Sequence, residues 1–206
     1  IVVDIFNFNI GTSVAGVINV GGNMVIQSEG NVKLVNQKIT VGENIIIDAK
    51  NFEALAGENT YKNDTKSNSM GMNVGYDIVN NNALGGLNAS TGNSNTTSKS
   101  YDNTFISAGG TFQLTTKEDA TFKGANVIAD KINFDIGKNL NIISLQDEYK
   151  SHGENSSVGL NVSGKLPGTQ AQQGYAIPTI GGGHSENNEE SKWVSNQTSI
   201  IAENGG

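Results

Sequence analysis

The sequence predicts an all-β chain wound as a parallel β-helix, and three observations carry the prediction. First, apolar pairs recur after twenty residues: Phe112 and Leu114 are followed by Ile132 and Phe134, and Ala120 and Phe122 by Leu140 and Ile142. Second, a polar residue separates the members of each pair (Gln113, Asn133, Thr121, Asn141), and strict alternation over such short runs marks strands with one buried face. Third, the two-turn unit itself recurs at an offset of 88 residues, from Gly21-Gly22 to Gly109-Gly110. A constant period lays each strand over its counterpart one turn away, about 4.8 Å distant. Ladders of Ile, Val, Leu and Phe then make one continuous interior.

Taken in order, residues 1–20 read as the end of a preceding repeat, with Phe6, Phe8 and Ile10 as the returning arm of a truncated hairpin. Repeat one covers 21–108, where Met24 and Ile26 precede Ile45 and Ile47, and Val32 and Leu34 precede Phe52 and Ala54. A third strand closes each turn, on the template Ile18/Val20, Ile39/Val41, Ile106/Ala108, Val127/Ala129 and Ile200/Ala202. Three of these strands run into Gly21, Gly42 and Gly109, where a corner calls for permissive backbone. Repeat two covers 109–202, and 203–206 begins the next. In every second turn the chain leaves the solenoid, near Glu58 until Thr104 and near Glu148 until Thr198. Each excursion is expected to be a long β-hairpin with a flexible tip, at 80–95 and at 167–190, the latter including Gly181-Gly182-Gly183. The excursions repeat as well: Ser-Met-Gly-Met-Asn-Val at 69–74 matches Ser-Val-Gly-Leu-Asn-Val at 157–162. Asparagines near Asn23, Asn44 and Asn139 are expected to stack turn on turn and to accept left-handed backbone.

Composition narrows the chemistry. There is no Cys and only two His, so neither a disulfide framework nor a Cys/His metal cluster is expected, and no cofactor is implied. The net charge is −7, and all 13 basic residues are Lys. Nucleic-acid surfaces carry basic stripes with Arg for bidentate contacts, so nucleic acid is excluded as a partner. No apolar run is long enough for a membrane-spanning helix, and the chain reads as an excised piece of a longer protein.

Catalysis on a β-helix would require clustered carboxylates, or a carboxylate pair at defined separation for glycoside hydrolysis. Here Asp and Glu are scattered; Glu118 and Asp119 sit at a turn, where Asp is common for local hydrogen bonding. His152 and His184 lie in the excursions among Ser, Gly and Glu and read as solvated histidines. A polysaccharide-degrading enzyme is the remote alternative.

Candidate contact residues come from the excursions. Met70, Met72, Val74, Tyr76 and Ile78 share one face of an alternating run, repeated by Val158, Leu160 and Val162. Nine alternating residues flanked by Tyr approach the roughly 9–11 that a transmembrane β-strand needs. The commoner use of such a pattern is a half-buried hairpin covering the solenoid flank, and that is the expectation. Tyr175 and Trp193 join the candidates because every Tyr and the lone Trp fall in the excursions, and these side chains suit surfaces with one apolar and one wet side.

Four runs stand out: Ile-Ser-Ala-Gly-Gly (106–110), Leu-Thr-Thr-Lys-Glu-Asp (114–119), Lys-Gly-Ala-Asn-Val (123–127) and Asn-Leu-Asn-Ile-Ile-Ser-Leu-Gln-Asp (139–147). On these the chain resembles the hemagglutinin repeats of filamentous-hemagglutinin-type exoproteins, including contact-dependent growth inhibition effectors. Repeat one departs from these runs, with Asn36-Gln37 where repeat two has Gly124-Ala125. The resemblance implies a right-handed β-helical rod, exported by two-partner secretion to a Gram-negative cell surface. It implies a non-catalytic structural role in adhesion or in delivering a toxin into a neighbouring bacterium. The implied partners are the target cell's outer membrane or a surface receptor (protein or glycan), and the remainder of the same long exoprotein. The main alternative is an adhesin module whose excursions bind glycans or proteins directly.

Overall fold

Short alternating segments stack at a constant interval because each has one apolar face to bury. The computed structural model describes residues 15–165 and 174–205, all of them strand, turn or irregular and none helical. The expected returning arm at Phe6, Phe8 and Ile10 lies outside the described residues. The first turn is β1 (Gly16–Val20), β2 (Met24–Gln27) and β3 (Asn31–Val35); the second is β4 (Gln37–Val41), β5 (Ile45–Ala49) and β6 (Asn51–Leu55). A hairpin follows, β7 (Gly57–Asp77) and β8 (Asn82–Asp102), and then β9 (Thr104–Thr116) and β10 (Ala120–Lys123). Next come β11 (Ala125–Ile136), β12 (Leu140–Ile143), a second hairpin of β13 (Asp147–Lys165) and β14 (Tyr175–Trp193), and finally β15 (Ser199–Ala202). In β9 and β11 two of the predicted strands run together, with a register shift between Ala129 and Lys131 marking the bend.

The described residues form two compact units, one within Ile1–Thr60, Ser98–Glu148 and Lys192–Gly206, the other from Tyr61–Thr97 and Tyr149–Ser191. In the first unit the stacked strands pair in parallel, as the twenty-residue period predicts. Met24 lies against Ile45, Ile45 against Phe112 and Phe112 against Ile132. Val32 lies against Phe52, Phe52 against Ala120 and Ala120 against Leu140. The interior of these columns is buried, and Phe122 packs against Phe52 at 5.4 Å and Phe134 at 5.7 Å between ring centroids. Leu140 and Ile142 are exposed because β12 is the edge of its sheet.

Polar ladders run beside the apolar ones. Asn44 donates its backbone and side-chain N–H to Asn23 Oδ1 (3.1 and 2.8 Å), and Asn44 Oδ1 accepts from Thr111 N (2.8 Å). A second ladder joins Asn31, Asn51, Asp119 and Asn139, with Asp119 Oδ1 accepting both N–H groups of Asn139. The expectation of left-handed backbone at Asn23, Asn44 and Asn139 is corrected: positive φ among the described non-Gly residues occurs only at Asn36 (49°) and Asn81 (54°). Asn36 occupies the corner that Gly124 (φ 65°) takes two turns later. Asn is the other residue that tolerates this conformation, so the sequence difference at that corner is conformationally neutral. Of the glycines before the second strand, Gly21 has open space around it, and Gly42 and Gly109 are reassigned. A Cβ on Gly42 would meet the carbonyl of Gly21, and one on Gly109 the carbonyl of Gly42; close approach between turns, not φ, requires them.

The excursions differ from expectation at their tips. The first tip is only residues 78–81, since β8 begins at Asn82, and Gly181, Gly182 and Gly183 lie inside β14. Both excursions return through a threonine. Thr104 Oγ1 donates to the Leu55 carbonyl (2.6 Å) and accepts from Gln37 N (3.1 Å). Thr198 Oγ1 donates to the Ile143 carbonyl (2.6 Å) and accepts from Gly124 N (3.0 Å).

Candidate interaction surface

Alternation makes the long strands, and their polar rows fix how they pair. The four hairpin strands form one sheet in the order β14-β13-β8-β7. Between β7 and β8, Ser69 and Ser90 hydroxyls lie 2.7 Å apart and Asn95 donates to Asp64. Thr96 and Ser151 hydroxyls (3.4 Å) link β8 to β13. Between β13 and β14, Ser156 Oγ meets His184 Nδ1 at 2.9 Å and Lys150 pairs with Glu190 at 3.2 Å. With Gly86 against Asn161 as the second contact between β8 and β13, the numbers in each pair rise on one strand as they fall on the other, so all neighbours are antiparallel. Gly86 is buried between Asn73 and Asn161, whose amide oxygens a Cβ would strike.

This register brings the candidate residues of both hairpins onto one face. Met72, Leu87, Leu160 and Ile180 form one cross-strand row, and Val74, Gly85, Val162 and Pro178 the next. Shallow grooves lined by Met70, Ala89 and Val158, and by Gly85, Val162 and Ala176, follow the same rows. The opposite face carries Ser69, Gly71, Asn73, Gly86, Asn88 and Asn161, mostly small or polar, with Leu84, Tyr175 and Ile177 as its exposed apolar members. This row is exposed: Met70 is 87% exposed, Met72 76% and Val74 83%, with Val158 at 53% and Leu160 and Val162 at 46%. The sequence pattern gives the face but not what covers it.

The remaining candidates are dispersed. Tyr76 continues the β7 row, and its hydroxyl donates to Asn81 Oδ1. Ile78 lies in the tip turn, which Asp77 organises by accepting from Val79 N (3.0 Å) and Asn80 N (3.2 Å). The Asn80 side-chain hydrogen bond is the main cause holding the Asp77 carboxyl below its ordinary range. Tyr175 alternates with Ala176 and so falls on the polar face with Ile177. Trp193 belongs to the first unit: its Nε1 donates to Ser195 Oγ (2.8 Å), and Ser195 donates to Asp147, which also accepts from Tyr101 N (3.0 Å). Sequence reasoning missed Leu87 and Ile180, because alternation in β8 and β14 is carried largely by Ala and Gly, which read as loop.

Charged groups lie on the lower half of the sheet. His152 meets Asn188 and lies 3.7 Å from Glu154 and 3.8 Å from Glu186. The Asn188 hydrogen bond, and then the two carboxylates, raise its pKa above the ordinary 6.5. A raised folded-state value means that the stabilisation is fully present below about pH 6.5 and lost as pH rises through the folded value. The group is substantially exposed, so the effect on stability is small; the titration itself is the readout. The His152 imidazole signal is expected to titrate above 6.5, and Asn188→Ala is expected to lower it. A wild-type midpoint at or below the ordinary value would contradict this geometry. Among the described residues no three His, Cys, Asp or Glu side chains are grouped to hold a metal.

The model of the hemagglutinin repeat family matches residues 9–159. The chain belongs to the hemagglutinin repeat family. It is 26% identical over 197 residues to a deoxyribonuclease CdiA of Yersinia pseudotuberculosis serotype O:3, covering 90% of this chain and 17% of that protein. It is 29% identical over 164 residues to a toxin CdiA of Escherichia coli, covering 76% of this chain and 5% of that protein. It is 31% identical over 143 residues to a tRNA nuclease CdiA of Yersinia mollaretii, covering 66% of this chain and 5% of that protein. The chain thus spans only a small part of the relatives it matches. No solved structure matches it. Membership places this hemagglutinin repeat segment in a secreted, cell-surface exoprotein of the Gram-negative type. No helix is long and apolar enough to cross a membrane, which says nothing of crossing by strands.

Proposed function

We propose that the chain is a non-catalytic structural segment of a contact-dependent inhibition exoprotein, serving toxin delivery, and that its hairpin sheet meets the target cell's outer membrane. The stacked strands act as the rod, continuous with the remainder of the same exoprotein. We take the coil as right-handed from the general preference of parallel crossovers. The observation that carries the membrane reading is the exposed apolar row from Met70 to Tyr76, backed by a face that is mostly small and polar. From Met70 to Tyr76 it spans about 20 Å at the rise of a β-strand, close to the roughly 25 Å apolar band of outer-membrane strands. In β7, apolar side chains on one face and Gly, Ser and Asn on the other follow the division such strands use between lipid and lumen.

The test is flotation with vesicles of phosphatidylethanolamine, phosphatidylglycerol and lipopolysaccharide. The wild-type chain is expected to float with them. A basic residue on a lipid-facing strand costs about 2–4 kcal/mol at mid-depth, so Met72→Arg with Leu160→Arg is expected to cut the bound fraction at least a hundredfold. Equal flotation of both proteins, or none, would remove the membrane reading. Binding to soluble glycans in place of vesicles would establish the adhesin alternative.

A further inference from the structure

Among the described residues β7 and β14 are the edge strands of the hairpin sheet, and the repeat shows what each edge is shaped to accept. We infer that they are complementary: β14 of one repeat pair binds β7 of a second copy, extending the sheet by antiparallel augmentation. The pattern is already present once inside the chain. β8, the returning arm of the first hairpin, pairs with β13, the outgoing arm of the second. β14 is the returning arm equivalent to β8, and β7 is the outgoing arm equivalent to β13. Met72 corresponds to Leu160 at the 88-residue offset, and Leu87 and Ile180 stand opposite these two within their own hairpins. The register that sets Leu87 opposite Leu160 across β8 and β13 therefore predicts Ile180 against Met72 between copies.

Extending that register down the strands brings Glu186 against Lys66 and Glu190 against Lys62 of the second copy. Opposite charges directly across a pair favour it, and like charges oppose it. Pairing β14 with β14 about Ile180 would instead leave Glu186 and Glu190 without a lysine opposite. The apolar rows also run on without a step, Pro178 meeting Val74 and Gly182 meeting Met70. Pro178 has no N–H and withholds a single donor from its strand, a local gap in an edge of 19 residues. Unpaired edges are templates for further strands, and in a lipid interior they are forbidden. The pairing does not depend on a membrane, and its test is run in water, so it stands or falls separately from vesicle binding.

The chain has no Cys, so single cysteines report cleanly. Ile180→Cys and Met72→Cys chains of distinguishable mass are mixed, oxidised and separated, with folding checked by circular dichroism. The mixed disulfide is expected to exceed either homodimer at least tenfold. It is also expected to exceed the pairs of Ile180→Cys with Met70→Cys or with Val74→Cys, which lie on the same face but out of register. Glu186→Lys is expected to reduce the mixed product several-fold, and the exchanged pair Glu186→Lys with Lys66→Glu to restore it. Predominant Ile180→Cys homodimers, equal yields at all three positions, or folded chains that do not cross-link at millimolar concentration would each overturn the assignment.

Discussion

Phe122→Ala is expected to lower the unfolding free energy by about 3–5 kcal/mol, the range for deleting a buried aromatic ring. Phe122 is fully buried, with rings of Phe52 and Phe134 on either side. Its column neighbour on β6 is Ala54, too small to move into the space, so the cavity persists and the upper part of the range applies. In a stacked structure each turn is held mainly by its neighbours, and the loss therefore falls on β6, β10 and β11. Guanidinium unfolding measures the total, with Phe105→Ala as the comparison. Phe105 alternates with buried Ile106 and is only partly buried, so its deletion is expected to cost under about 1 kcal/mol, within the range of surface substitutions. Equal costs for the two would contradict the placement of the core.

Thr104→Val is expected to cost about 1–3 kcal/mol, the penalty of leaving a buried polar group unsatisfied. Valine reproduces the shape of Thr104 but not its oxygen. The Leu55 carbonyl keeps a second donor in Asn36 N (3.0 Å), so the loss concentrates on Gln37 N–H, which bonds to Thr104 Oγ1. Amide exchange at Gln37 is expected to accelerate more than at neighbouring positions, and Thr104→Ser to recover most of the protection. Thr198→Val is expected to cost less, because Thr198 is only partly buried and Gly124 N also reaches the Ile143 carbonyl at 3.0 Å. The Ala125 N–H that loses its acceptor also makes a longer bond, 3.4 Å, than Gln37 N makes to Thr104. If Thr198→Val proved the more damaging, the hydrogen-bond assignment at the two return points would be wrong.

Much of the stack was legible because its signal is local and periodic. The recurrence from Phe112 to Ile132 and from Ala120 to Leu140 is the pairing register of the strands themselves. The candidate surface was legible by halves. Met70 to Tyr76 and Val158 to Val162 alternate plainly, but their partner strands carry Ala83, Gly85, Ala89 and Gly182, whose small side chains give alternation no contrast. That the two hairpins join through β8 and β13 depends on contacts such as Thr96 with Ser151, 55 residues apart, and no periodicity encodes it. Exposure of the apolar row was not legible either, since an alternating strand reads alike whether protein, lipid or water lies over it. The glycine and asparagine corners misled for another reason. Composition marks a tight place without saying whether dihedral angle, headroom or an amide ladder makes it tight.

Thr104 and Thr198 have a consequence for how such a chain can vary. Each hydroxyl ties the returning end to the carbonyl of the turn the hairpin left, Leu55 in one case and Ile143 in the other. With both ends of the detour fastened, the closure entropy of what lies between grows only slowly with length. Residues can thus be inserted, removed or exchanged in the hairpins without altering the spacing of the stack, so the hairpins can diversify while the stacked strands keep their interval.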